Sequence, residues 1–209
     1  MNEKKHRFET FQNISQIPQE KEKLRQKLRE IRMQISPDDH AAWSCRACIH
    51  LATFINEWIS DPATGVLVYC SKPPELDTSL LIDSLLKKQI PTLVPIIQQE
   101  DMSLRLSYVT PTSSLVCSTF QVPEPIWCEI PARPEDVSIC IVPILGFCLD
   151  GARIGYGKGY YDRFFQKNPH IYKVGTAFSC QKCDEIPVTD DDIRMDLIIT
   201  EHGIVYKHP

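Results

Sequence analysis

The chain has 209 residues, 43% of them hydrophobic and 24% charged, with a formal net charge of -4. This is the composition of a globular chain long enough to bury a core without disulfides or metals. It excludes a disordered, collagenous or coiled-coil protein, and its mild acidity excludes a global field that recruits nucleic acid.

Residues 1–19 are polar and unpatterned and read as a mobile N-terminal arm, leaving 20–209 as a single α/β domain. The first residues lack the apolar run of a signal peptide. From Lys21 the pattern turns helical. Leu24, Leu28, Ile31 and Ile35 make an apolar stripe, and Lys21, Arg25, Arg29 and Arg32 a basic one beside it. Ser36-Pro37-Asp38-Asp39 reads as a cap, a proline at the first helical position and acids in the first turn. A second helix is predicted over about 39–59 with the stripe Ala41, Cys45, Cys48, Ala52, Ile55 and Ile59. Asp61-Pro62-Ala63-Thr64-Gly65 breaks it.

Val66–Cys70 reads as a buried strand, Ser71–Pro74 as a turn, Leu76–Lys88 as a helix and Pro91–Ile97 as a strand: the parallel crossover unit. Leu104, Leu106 and Tyr108 alternate with polar residues, as in a half-buried strand. Residues 110–136 are proline-rich and without period, so a long surface loop is expected. Ser138–Ile144 is a strand apolar on both faces. The surrounding apolar stretch, Ile139 to Leu149, contains Pro143 and is far shorter than the ~20 residues of a membrane span. A helix through Tyr160–Phe165 and strands at Lys173–Phe178, Leu197–Thr200 and Ile204–Tyr206 complete a mixed sheet.

Four of the eight glycines, Gly151, Gly155, Gly157 and Gly159, crowd one loop between a buried strand and a helix. Backbone N–H groups at such a helix start bind anions, Arg153 and Lys158 add positive charge, and Asp162 is a carboxylate suited to Mg²⁺. These are the parts of a polyphosphate site. They do not form a P-loop, which needs Gly at Ala152 and Ser or Thr at Gly159, nor a dinucleotide fingerprint, which needs Gly at Tyr160. A tight structural turn is the plain alternative. Lys21 and Arg25, one turn apart, can reach a polyphosphate together or form a solvated face.

The nine cysteines, an odd number, read as reduced thiols in a cytoplasmic setting. Cys45/Cys48 and Cys180/Cys183 lie too far apart for a zinc ribbon. Asp190-Asp191-Asp192 reads as a solvated acidic turn, and Asp196, just before an apolar strand, as a carboxylate pointing into a site at the strand edge.

The stretch from Val142-Pro143 to Arg163 resembles the signature of the 5-formyltetrahydrofolate cyclo-ligase family, the methenyltetrahydrofolate synthetases. The resemblance extends to Lys21, Leu24 and Arg25, to Glu75-Leu76-Asp77-Thr78, to Glu124-Pro125, to Ile186-Pro187 and to Asp196–Glu201, in order over about 20–206. Ile154 stands where the signature usually has Leu, and Cys148 where it usually has Asp.

The resemblance implies a three-layer α/β sandwich with a mixed, mostly parallel sheet, of the type shared with ribose-phosphate isomerases and coenzyme A transferases. It implies a monomeric, cytoplasmic ligase that uses ATP and Mg²⁺ to convert 5-formyltetrahydrofolate, which can be polyglutamylated, into 5,10-methenyltetrahydrofolate, ADP and phosphate. No nucleic acid or membrane partner is implied. Carried over residue by residue, ATP falls to Lys21, Arg25, Arg153, Gly155, Gly157, Lys158, Gly159, Tyr160 and Tyr161. Catalysis falls to Lys158, Arg153 and Tyr160, folate binding to Cys70, Glu75, Tyr156 and Tyr160, and the metal to Asp162 and Asp196. The other readings are a family member that binds folate or nucleotide without turnover, and a nucleotide-binding RNA accessory protein.

Overall fold

The computed structural model describes residues 2–59, 64–125 and 127–208, with the backbone alone over 2–15. The break at Asp61–Ala63 lies outside the described residues. Helix α1 spans Asn2–Met33 and so starts before Lys21, with Pro18 inside it. Its Leu24 and Leu28 pack with Leu145, Cys148, Ala152, Ile154 and Ile186. Helix α2, Pro37–Trp58, begins at the predicted cap: Ser36 Oγ accepts the Asp39 N–H at 3.1 Å. Its buried face is Ser44, Ala47, Cys48, Leu51, Phe54 and Ile55, with Ala41 exposed and Cys45 half-buried. The predicted stripe is thus rotated by about one residue, because Leu51 and Phe54, which it leaves out, pack with Cys48 and Ile55 against the sheet.

Then follow β1 (Gly65–Val68), α3 (Ser79–Lys87), β2 (Thr92–Gln98) and β3 (Ser103–Tyr108). The predicted long loop is partly structured. It holds a hairpin of β4 (Val116–Cys117) and β5 (Pro123–Glu124), and β6 (Ile130–Ala132), which pairs with β3. Next come β7 (Val137–Pro143), a small hairpin of β8 (Gly146–Phe147) and β9 (Arg153–Ile154), α4 (Tyr160–Lys167), β10 (Tyr172–Thr176), β11 (Leu197–Thr200) and β12 (Gly203–Lys207).

The main sheet runs β12-β11-β10-β7-β1-β2-β3-β6. The five central strands, β11 to β2, are parallel, and the flanking pairings are antiparallel. Side chains alternate across it. Val66, Val68, Ile139, Ile141, Leu197 and Ile199 face α2 and α3. Leu67, Cys140, Val142 and Ile198 face Phe164 and Phe165 of α4. This makes three layers, helix, sheet and helix, as the family resemblance implies.

Strand order places the site. From β1 the chain moves outward through β2 and β3, then returns to the other side of β1 with β7 and moves outward through β10 and β11. The direction reverses between β1 and β7. A crevice opens outside the carboxyl ends of the strands at such a point.

Candidate active site

A cleft of about 480 Å³ lies at that point, within the usual range for small-molecule sites. Tyr69 and Cys70, beyond the end of β1, and Val142 and Pro143, at the end of β7, form its floor. The run Arg153–Asp162 forms one wall, and Lys21, Arg25 and Arg29 of α1 approach from the side.

The glycine loop leaves β9 at Ile154 and enters α4 at Tyr160, so it presents the start of a helix to the cleft. Gly159 caps α4 with φ 67°, where a side chain would be strained and would press on Arg163 Nη1 at 2.8 Å. Gly157, at φ 91°, lets the Arg25 guanidinium lie against the loop: a Cβ there would come within 3.0 Å of Arg25 Cζ. Arg25 Nε donates to Gly155 O at 3.0 Å. Lys21, Arg25 and Arg29 of the basic stripe are therefore part of the cleft.

Most cleft cations already have protein partners. Lys21 pairs with Asp192. Arg25 and Arg29 pair with Glu22 at 3.0 and 3.2 Å. Lys72 donates to Phe120 O at 2.7 Å. Arg153 donates to Ile193 O and pairs with Asp162 at 2.9 Å. Among the described residues, Lys158 is the cleft cation whose ammonium has no protein partner. Its charge stands at the helix start, ready for an anion.

The other end of the cleft is less charged. Glu75 is buried and accepts the Lys72 N–H at 3.0 Å. Tyr156 lines the same cleft, near enough for the Glu75 charge to act on its phenol. Burial, then the Glu75 charge, pushes the Tyr156 phenol upward, so it stays protonated. Burial likewise pushes the Cys70 thiol up to about 12, and Cys70 acts as a neutral wall. Phe120 closes this end from the β4–β5 flap and meets Tyr160 edge-on at 6.5 Å.

The carboxylates are arranged differently from the sequence expectation. Asp162 lines the cleft, and its Oδ1 accepts both Arg153 Nη2 and the Ile193 N–H at 2.9 and 3.1 Å. Asp196 is absent from the lining. It precedes β11, at the amino ends of the parallel strands, where its carboxylate accepts the Lys173 N–H at 2.7 Å and pairs with Lys173 Nζ at 2.8 Å. Asp162 and Asp196 are therefore not brought together at the cleft. Among the described residues no group of three His, Cys, Asp or Glu side chains is placed to hold a metal ion.

Asp192, read as a solvated turn residue, lines the cleft instead. Burial opposes its charge, but Lys21 and Thr189 outweigh that and hold its carboxyl below the ordinary value of 3.8. A depressed folded value keeps this contribution to stability present above about pH 3.8 and loses it only as the pH falls further. The clasp between α1 and this loop therefore stays closed near neutrality.

Cys148 is buried behind the loop among Leu28, Leu145 and Ile154, and burial lifts its thiol to about 11. It does not line the cleft. Asp150, two residues on, accepts the Ala152 N–H at 2.9 Å, so a carboxylate does brace this turn. All nine cysteines are free.

Sequence reasoning missed Lys72, Phe120 and Asp192 as cleft residues. Lys72 stood three residues before Glu75 and could have been found by proximity. Nothing in the chain marked Phe120, which the flap brings in.

The 5-formyltetrahydrofolate cyclo-ligase family model matches residues 17–201. The Escherichia coli K12 5-formyltetrahydrofolate cyclo-ligase is 29% identical over 179 residues, 83% of this chain and 96% of that one. The solved structure of the Aquifex aeolicus 5,10-methenyltetrahydrofolate synthetase is 29% identical, with a TM-score of 0.71 over 88% of this chain and 91% of that chain. The synthetase from Mycoplasma pneumoniae shares the fold at 22% identity, with a TM-score of 0.68 over 87% and 98% of the two chains. With most of its length matched by the family model and its cleft built on the signature loop, the chain belongs to the 5-formyltetrahydrofolate cyclo-ligase family.

Proposed function

We propose that this chain catalyses the ATP-dependent closure of 5-formyltetrahydrofolate to 5,10-methenyltetrahydrofolate, with release of ADP and phosphate. Family membership supports the reaction. The observation that carries its placement is the Lys158 ammonium on the glycine loop, unpaired among the described residues, at one end of a cleft whose other end holds the buried Glu75.

A formyl oxygen is a poor leaving group. In the proposed sequence it attacks the γ-phosphorus of ATP, the bond to the bridging oxygen breaks, and ADP departs. N10 of the folate then attacks the activated carbon, a C–N bond forms, and phosphate leaves with the former formyl oxygen. N10 gives up its proton. The cleft's task is to align the two reactants and offset charge spreading over the phosphoryl oxygens. Lys158 and the loop N–H groups of Gly155, Gly157 and Gly159 take the phosphates. Lys21, Arg25, Tyr160 and Tyr161 complete the ATP side. Arg153, held by Asp162, is the second cation. Glu75 accepts pterin N–H groups, with Tyr156, Tyr160 and Cys70 as walls.

For Mg²⁺, Asp162 is the fitting donor. Magnesium usually takes one or two carboxylates together with substrate phosphates, and one oxygen of Asp162 is already held by Arg153 and Ile193. The ion would offset charge on the polyphosphate. Asp192 is the nearer second carboxylate by position, since it lines the cleft and Asp196 does not. We read the enzyme as a cytoplasmic monomer with residues 1–19 as an accessory arm. The free thiols support the compartment, and among the described residues no helix is long and apolar enough to cross a membrane.

The test is spectrophotometric. The protein with 5-formyltetrahydrofolate, Mg²⁺ and ATP is expected to develop the near-ultraviolet band of the methenyl product, and not to do so when ATP is omitted. A folded protein that binds both substrates and forms no product is the non-catalytic binder instead.

A further inference from the structure

Near the end of α1 lies a cation outside the cleft lining. Arg32 is 4% exposed. Its Nη2 donates to the Tyr156 hydroxyl at 2.8 Å, and its guanidinium carbon lies 5.6 Å from the Tyr156 ring centroid. Lys72 Nζ approaches the same ring at 5.9 Å. No carboxylate pairs with Arg32 among the described residues, and its Nε is buried without a partner. A buried guanidinium with an unmade hydrogen bond is a poor stabilising device. Its one strong directed contact is Tyr156.

That contact has a directional consequence. A phenol hydroxyl offers one proton and an accepting oxygen, whereas a guanidinium can only donate. With Arg32 occupying the oxygen, the phenol proton must point elsewhere, and the Glu75 carboxylate, which lines the same cleft near enough for its charge to act on the phenol, is the acceptor it is turned toward. Glu75 is 6% exposed and has no ion pair among the described residues, so donated hydrogen bonds are what hold its charge in place. Hydrogen bonds in such a chain polarise one another.

We propose that Arg32 is a positioning residue for the folate end of the cleft: it orients the Tyr156 hydroxyl toward Glu75 and so fixes Glu75 as an acceptor aimed at the pterin. This rests on the reading of Glu75 as the pterin acceptor. Arg32 itself touches neither substrate.

Steady-state kinetics of the wild type, R32M, R32K, Y156F and R32M/Y156F test it, with folate and ATP varied in turn. R32M and Y156F are each expected to raise KM for 5-formyltetrahydrofolate about tenfold, the worth of one charge-assisted hydrogen bond. KM for ATP stays unchanged. The double variant is no worse than Y156F, because both changes break one chain. R32K, which keeps a donor, recovers part of the loss. R32M melts no lower than the wild type, since it removes a buried charge and an unmade hydrogen bond.

An unchanged folate KM in R32M, multiplying effects in the double variant, or a fall in melting temperature with both KM values rising together would overturn the assignment. If R32M does not fold, Y156F decides: an unchanged folate KM refutes the relay. If the wild type shows no turnover, the proposed activity has failed separately. Calorimetric titration of 5-formyltetrahydrofolate into the same variants then gives the same comparison through Kd.

Discussion

Replacing Lys158 with alanine is expected to lower kcat by a factor on the order of 10²–10³, the usual effect of removing one preorganised group that stabilises transition-state charge. The folded state should be indifferent. Lys158 is exposed, and its side chain makes no ion pair among the described residues. The melting temperature and the KM for folate should therefore match the wild type. This separates Lys158 from Lys21, Arg25 and Arg29, whose removal also breaks an ion pair. Product formation and phosphate release, measured beside a thermal melt, check it. A K158A protein with wild-type kcat would remove the residue from the reaction.

The second large effect is at Asp162, and it is a double one. Asp162→Ala is expected to abolish turnover and to destabilise the protein. Arg153 has only 6% of its side chain exposed and would lose its carboxylate, and the Ile193 N–H would lose its acceptor. Breaking a fully buried pair costs ~3–5 kcal/mol; the 24% exposure of Asp162 brings the expectation to about 2–3 kcal/mol, or roughly 5–10 °C in melting temperature. Loss of activity in this variant is therefore no proof of a metal role. Asp162→Asn is the cleaner probe, because its amide oxygen can still accept from Arg153 or Ile193. If Asp162 holds Mg²⁺, Asp162→Asn melts above Asp162→Ala, though below the wild type because Arg153 loses its countercharge, and needs a much higher Mg²⁺ concentration for half-maximal rate. An unchanged Mg²⁺ dependence would remove the metal assignment and leave Asp162 as the brace of Arg153.

Much of the fold is legible from local pattern. The apolar runs at Val66, Pro91, Ser138 and Leu197 become the parallel strands, because a strand buried on both faces has little choice of residue. The cap at Ser36 is likewise a local chemical event. What fails is whatever depends on direction or on distant packing. Asp196 reads as a residue at a strand edge, but a residue before a parallel strand sits at the amino end, away from a cleft outside the carboxyl ends. Phe120 enters the cleft only because the flap folds over, a contact without sequence period. Asp192 is disguised by its acidic neighbours, and only its pairing with Lys21 sets it apart. The glycine loop is the opposite case. Its positive φ angles at Gly157 and Gly159, its cations and its helix start are all written within one short stretch.

In the proposed mechanism the formyl oxygen is phosphorylated in this cleft and leaves as part of phosphate. The most direct measurement uses 5-formyltetrahydrofolate labelled with ¹⁸O in the formyl group. One turnover with unlabelled ATP in unlabelled water should place the label in inorganic phosphate, with ADP and methenyltetrahydrofolate formed in equal amounts. Label released as water, or product formed without consumption of ATP, would contradict the account.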